Sequence, residues 1–316
     1  MGYALTPQTA AQAALKGHLD CVKYVCESGI ELAPSTIAQA AAGGHLFIIK
    51  YAREKGCQWN EDAPQEAARN GHLEVLKYLK ENGCPWSANV CSSAAWRNHL
   101  DCVIYAHENG APWDKWTTHN AAHAGHIEIL KYAFANGCPG ESYMTRSAAQ
   151  DNHLESIKIC HENGIELHPD VLILAAQNRN FEMAKFAVSV GLIHKTNVCD
   201  IAARWGSFEI LKLVHESGVP LTSKACSGAA GSGSLECLKY AHEQGAPWDV
   251  TCTRRAAGRG SMECLTYAYE NGCPMDETAC IMAKAGGNPE CLAYVLRKGI
   301  QWNGDMSYFE AYEYDY

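Results

Sequence analysis

Apolar and polar positions along this chain recur with a period of 27 residues. Residues 73–81 show the pattern most plainly. Leu73, Leu76, Tyr78 and Leu79 fall at helical spacing over a wide arc, while Lys77 and Glu81 lie four apart on the solvated side. A shorter segment upstream is built on Ala67-Ala68, and the pair returns as Ala94-Ala95, Ala121-Ala122 and Ala229-Ala230. Two small residues predict a first helix that lies close to its neighbours. Each repeat therefore reads as helix, tight turn, helix, loop.

Two combs of glycine set the boundaries. Gly29, Gly56, Gly83, Gly110, Gly137, Gly164, Gly191, Gly218, Gly245, Gly272 and Gly299 end the second helices, with no insertion or deletion between them. The other comb begins at Gly17, Gly44, Gly71, Asn98, Gly125 and Asn152, and runs through Arg179 to Gly287. It ends the first helices, where Gly or Asn accepts the left-handed conformation. Asn89 and its counterparts Ser35, Asp62, Asp170, Asn197, Thr251 and Thr278 are expected to cap the first helices. Second helices open on His18, His45, His72, His99, His126 and His153, then on Asn180, Ser207, Ser234 and Ser261. Acids such as Glu74 and Glu128 follow, which suits the positive end of the helix dipole. The connecting loop often reads Pro-Trp, as in Pro85-Trp86 and Pro112-Trp113, with the Trp as a spacer between layers. Gly140 and His194 break that pattern.

Units this short cannot fold alone, so the array is expected to form one elongated cooperative domain. The expected fold class is all-α: a solenoid of eleven helix-turn-helix units over residues 1–303, without β-hairpin fingers. Residues 304–316 follow as an acidic, aromatic cap or tail.

Ala67-Ala68, Gly71-His72-Leu73-Glu74 and Asn82-Gly83 resemble the ankyrin repeat, and the resemblance covers roughly residues 7–303. The usual ankyrin unit is about 33 residues; the missing six are the β-turn finger between units. The short unit with its GCPW loop is similar to ankyrin arrays of giant viruses and some eukaryotic microbes. Those arrays often carry an F-box, and no F-box segment is visible here. The resemblance implies protein–protein binding through a concave face lined by first helices and turns.

In designed ankyrin binders the two residues between the alanine pair and the Gly-His are varied. Here those positions supply Arg69, Trp96, Arg97, His123, Gln150, Gln177, Arg204 and Trp205, to which Trp116 and His119 add. The framework repeats while these positions differ, and Trp and Arg are typical interface hot-spot types. These ten residues are the candidate protein-binding site. The leading function is a non-enzymatic scaffold that captures a protein partner. The alternative is a substrate-recruiting adaptor, of the F-box or host-directed effector kind, whose effector module lies elsewhere.

Composition narrows the partners. A net charge of −9 argues against nucleic acid. No apolar stretch approaches transmembrane length, and no secretory leader is read, so a cytoplasmic monomer is expected. Met1-Gly2-Tyr3-Ala4-Leu5-Thr6 formally fits an N-myristoylation pattern, which the bulky Tyr3 disfavours. Among the 16 cysteines, Cys21, Cys102, Cys237, Cys264 and Cys291 share one repeat position, and Cys91, Cys199, Cys226 and Cys280 another. Apolar residues fill the same positions elsewhere, so cysteine stands in for a small core hydrophobe. Cys84/Cys91 and Cys273/Cys280 are the best disulfide or metal alternatives, yet their spacing matches no CxxC ligand pair. The framework histidines sit one unit apart. Helices packed about 8–10 Å apart cannot bring two of them onto one zinc ion. No GxSxG, HExxH or P-loop stands in context, and no cofactor is expected.

The repeat frame extends past Trp302. It puts Asp305 at a helix N-cap position and aligns Ala311 with the second alanine of the pair. Tyr308, Phe309 and Tyr312 can share one face. A capping helix from about Met306 to Glu313 is therefore expected on the eleventh repeat. Deleting residues 304–316 should lower the melting temperature and promote association. Unchanged melting, or fast amide exchange throughout 306–313, would show a free tail instead.

Overall fold

The computed structural model describes residues 5–193 and 197–304. Among these residues it forms 22 helices, two per repeat, and no strand. Among the described residues the chain is an all-α repeat protein without β-hairpin fingers, as its periodicity predicts. The expected capping helix, the break at His194 and the Met1-Gly2 start lie outside the described residues.

Two compact units divide the chain, Met1–His168 with repeats one to six and Pro169–Tyr316 with repeats seven to eleven. Within each unit, first helices stack on first helices in chain order. Each second helix packs on the first helix of its own repeat. The alanine pair makes this possible: from Ala40-Ala41 to Ala256-Ala257, both members are fully buried in every repeat. Second helices are nine residues long, as in Leu73–Glu81, and bury one stripe, here Val75, Leu76 and Leu79. Each such large aliphatic contributes about 1.5–3 kcal/mol on full burial. On the solvated side Lys77 pairs with Glu74 at 2.7 Å, one turn back, rather than with Glu81.

The glycine combs adopt the left-handed backbone assigned to them. Asn98, Asn152 and Arg179, which replace glycine in the second comb, are the non-glycine residues with positive φ among those described. The two combs differ in what surrounds them. A Cβ on Gly83 would meet nothing within 4 Å, whereas one on Gly71 would lie 2.4 Å from His99 Nδ1. Gly17, Gly44 and Gly125 are likewise covered by the histidine of the following repeat. Three of the framework histidines bond to the preceding repeat. The Nε2–H of His45 donates to the Leu15 carbonyl at 3.2 Å, that of His72 to Ala42 at 3.0 Å and that of His126 to Trp96 at 3.2 Å. The histidine thus closes an orphan carbonyl at the end of the neighbouring first helix. In the second unit Ser207 and Asn288 do the same, donating to the carbonyls of Ala176 at 2.8 Å and Gly258 at 2.8 Å.

The expected first-helix caps are shifted. Asn89 and Asp62 are the first helical residues, after Ala88 and Glu61, and Ser35 lies inside its helix. Asp170 and Asn197 stand at the N-cap but make no side-chain cap bond. Where capping is strong it comes from two residues before the expected position. Asp249 accepts from the Thr251 backbone N–H at 2.8 Å, and Asp276 from that of Thr278 at 3.0 Å. Those aspartates have the extended backbone that a cap requires.

All sixteen cysteines are free thiols, and only Cys21 and Cys26 are not buried. Burial pushes the Cys91 and Cys102 thiols up to about 12. Cys84 and Cys273 instead donate to the preceding loop, at the carbonyls of Asn60 (3.4 Å) and Asp249 (3.3 Å). The Pro-Trp tryptophans are spacers: Trp113 stacks on His107 with centroids 3.9 Å apart and meets the edge of Tyr132 in the next repeat.

Gly71→Ala should destabilise the protein more than Gly83→Ala. Both introduce a side chain at positive φ, costing about 1 kcal/mol or more, but only the former meets a ring. In a His99→Ser background the two costs should converge. Thermal unfolding of the four variants and their parents checks this; equal melting of the single glycine variants would refute the ring contact.

Candidate functional site

Of the seven first-unit candidates, all but Arg69 stand on or directly after three consecutive first helices, Asn89–Trp96, Lys115–His123 and Tyr143–Gln150. The second of these is set by Asp114, whose side chain accepts from the Trp116 backbone N–H at 2.9 Å. Trp116, His119 and His123 then follow at one-turn intervals on one side of the helix.

These residues form a connected aromatic cluster. Trp96 meets the edge of His123 at 5.2 Å between centroids, and Trp116 meets His119 at 5.2 Å. His119 lies 6.0 Å from His123 and stacks on Tyr143 at 5.8 Å, and Tyr143 reaches His168 at 6.2 Å. Polar groups surround the rings. His123 Nε2 lies 2.8 Å from an Asp151 carboxylate oxygen. Lys115 pairs with Glu141 at 3.0 Å, and its ammonium sits 5.7 Å from the Trp116 ring. The Arg146 guanidinium lies 5.6 Å from the Tyr143 ring. Trp96, Trp116 and Tyr143 are nevertheless 41%, 49% and 47% exposed. Large, rigid rings held by neighbours and left open to water are what a binding surface presents.

His119 differs from the others. It is buried, and its Nδ1 has no hydrogen-bond partner. The ring backs the surface rather than forming it. Burial and the neighbouring His123 hold its pKa below the usual histidine value, against the opposing pull of Glu141.

The remaining candidates lie outside this ring cluster. Arg69 is exposed and 3.4 Å from Glu66, one turn back on its own helix. Arg97 is the exposed C-cap of Asn89–Trp96, and exposed Gln150 ends Tyr143–Gln150. Gln177, Arg204 and Trp205 belong to the second unit. Gln177 is half-buried, Arg204 is exposed and Trp205 is 44% exposed. Sequence reading passed over Tyr143, Arg146 and His168. The first two were within reach, since Tyr143 and Arg146 lie one repeat on from Trp116 and His119. His168 sits in a loop, and no periodicity marks it.

Among the described residues no group of three or more His, Cys, Asp or Glu could hold a metal ion, and no helix is long and apolar enough to cross a membrane.

Because the folded pKa of His119 is depressed, the unfolded chain binds its proton first as pH falls below about 6.5. Stability should therefore decline from neutral pH downward through that window. His126, also depressed by burial, adds to the loss. Histidine NMR titration should place the His119 midpoint below that of an unfolded peptide, and His119→Phe should flatten the fall of melting temperature between about pH 7 and 5. An unchanged slope would mean that the ring titrates freely. Neither a protein-family model nor a curated protein matches this sequence, so the reading of function rests on the repeat fold and on this surface.

Proposed function

We propose that the chain is a non-enzymatic protein-interaction scaffold that binds a protein partner on the exposed side of its first helices and their turns, the concave face that the ankyrin resemblance implies. The observation that carries this is the exposed Trp96, Trp116 and Tyr143 cluster, fixed by ring contacts to His119 and His123. The same helices otherwise bury mainly alanine, serine and threonine, with Val90, Cys91 and Met144. Leaving large rings open to water forgoes the free energy of burying them, and rings already held in place lose less conformational entropy when a partner binds. In the second unit, Trp205 beside Arg204 offers the same pairing of residue types.

The unit with its alanine pair, Gly-His-Leu-Glu turn and Asn-Gly end supports an ankyrin-type assignment. Its short period favours the kind found in giant viruses and microbial eukaryotes. A cytoplasmic monomer acting on protein rather than nucleic acid or membrane fits the net charge of −9. A substrate-recruiting adaptor would use the same surface and join its effector module through another segment or chain.

The test starts with affinity capture from a lysate and identification of the retained protein by mass spectrometry. The purified partner is then titrated against the wild type, Trp96→Ala, Trp116→Ala and a second-helix control, Lys131→Ala. Each tryptophan variant should weaken binding by about 2 kcal/mol or more, and the control should not. Unchanged affinity in both tryptophan variants would move the interface to another face.

A further inference from the structure

One first-helix position carries Trp96 in the fourth repeat, His123 in the fifth and Arg204 in the eighth, then Gly231 in the ninth and Gly258 in the tenth. Two successive repeats thus present no side chain where others present a large one. Both glycines lie within helices, Ser223–Ser232 and Val250–Arg259. Glycine in a helix costs up to about 1 kcal/mol relative to alanine, so its use needs a reason. Close packing supplies one for Gly228, where a Cβ would stand 3.1 Å from the Arg204 backbone nitrogen. Packing does not require Gly231. The nearest atoms a Cβ there would meet belong to the Arg255 side chain, the first at 3.5 Å, an ordinary contact.

The missing side chains leave a groove of about 470 Å³ within the second unit, a size suited to a bound group. Its lining includes Gly228, Gly231, Gly258 and three arginines, Arg204, Arg255 and Arg259. Arg255 is half-buried, and Arg204 and Arg259 are exposed. No carboxylate stands among the described lining residues, although the chain as a whole is acidic. Guanidinium groups present a planar fork of donors that matches carboxylate and phosphate oxygens. Glycine at the base lets a ligand backbone approach closely.

We propose that this groove binds the oxyanions of an acidic peptide segment of a partner protein, whether carboxylate or phosphorylated side chains. The peptide as carrier rests on the protein-binding reading above; the oxyanion chemistry does not. The arginines supply charge and direction, and the glycines supply room for the segment's backbone. Oxyanions engage the guanidinium ends, away from the carbonyls that close each helix.

The full chain is titrated separately with inorganic phosphate, hexaglutamate and hexalysine while arginine side-chain Nε–H NMR signals are followed. Phosphate and hexaglutamate should shift Arg204, Arg255 and Arg259 saturably, the peptide more tightly, and hexalysine should not. Added salt should weaken both. Arg204→Gln/Arg259→Gln should weaken hexaglutamate binding about tenfold or more. Both sites are exposed, so its circular dichroism should match the wild type. Gly231→Leu keeps every charge, fills the groove and should block the peptide. No arginine shift with either anion overturns the oxyanion site. Shifts with phosphate but none with hexaglutamate overturn the peptide carrier. Undiminished peptide binding in both variants places the anion elsewhere and overturns the groove assignment. None of these results depends on partner affinity at Trp96, so failure here and failure of the scaffold reading remain separable.

Discussion

Close approach of neighbouring first helices is the constraint on which the rest of this structure depends. Nine successive alanine pairs are fully buried between those helices, and close-packed interiors tolerate added methylenes poorly. A stack held by such small contacts has little area per residue with which to offset chain entropy. The cross-repeat hydrogen bonds from His45, His72, His126, Ser207 and Asn288 complement that packing by closing helix-end carbonyls that would otherwise face a neighbour unpaired. The turn glycines answer two demands at once: Gly71 needs positive φ and must also leave space for the His99 ring.

This arrangement separates framework from surface. The alanine-pair positions of the first helix are restricted to small side chains, and the second helix supplies most of the larger aliphatics, such as Ile129, Leu130 and Ile210. What remains free is the exposed side of each first helix and its turn. Substitution there does not disturb the stack, so Trp96, Arg204 and Gly231 can occupy equivalent positions of one fold. The first unit uses that freedom for aromatic rings, the second for arginines and for absent side chains. Two surfaces of different chemistry thus stand on the same framework.

Periodicity determined the architecture because a hydrophobic pattern with fixed spacing admits only one way to bury each stripe. Helix number among the described residues, turn positions, left-handed residues, the alanine core and the cysteines as core residues all follow from local spacing, except that Cys21, in the first repeat, is exposed rather than buried. Asn98 and Asn152 were legible as turn residues because asparagine tolerates the left-handed backbone. Of the site, the exposed Trp96, Trp116, Arg204 and Trp205 were legible because they depart from the repeating framework.

Tertiary structure decided what depends on contacts between repeats. The framework histidine resembles a helix cap in sequence, and only the stack turns its ring onto the preceding repeat. His119 reads as a surface residue by position, yet flanking helices bury it and lower its pKa. The caps Asp249 and Asp276 lie two residues before the position that composition favoured, because the loop delivers the chain extended at that point. A groove is made of what several helices leave unfilled. Gly231 and Arg255 come from different repeats, and one-dimensional spacing carries no measure of the distance between them.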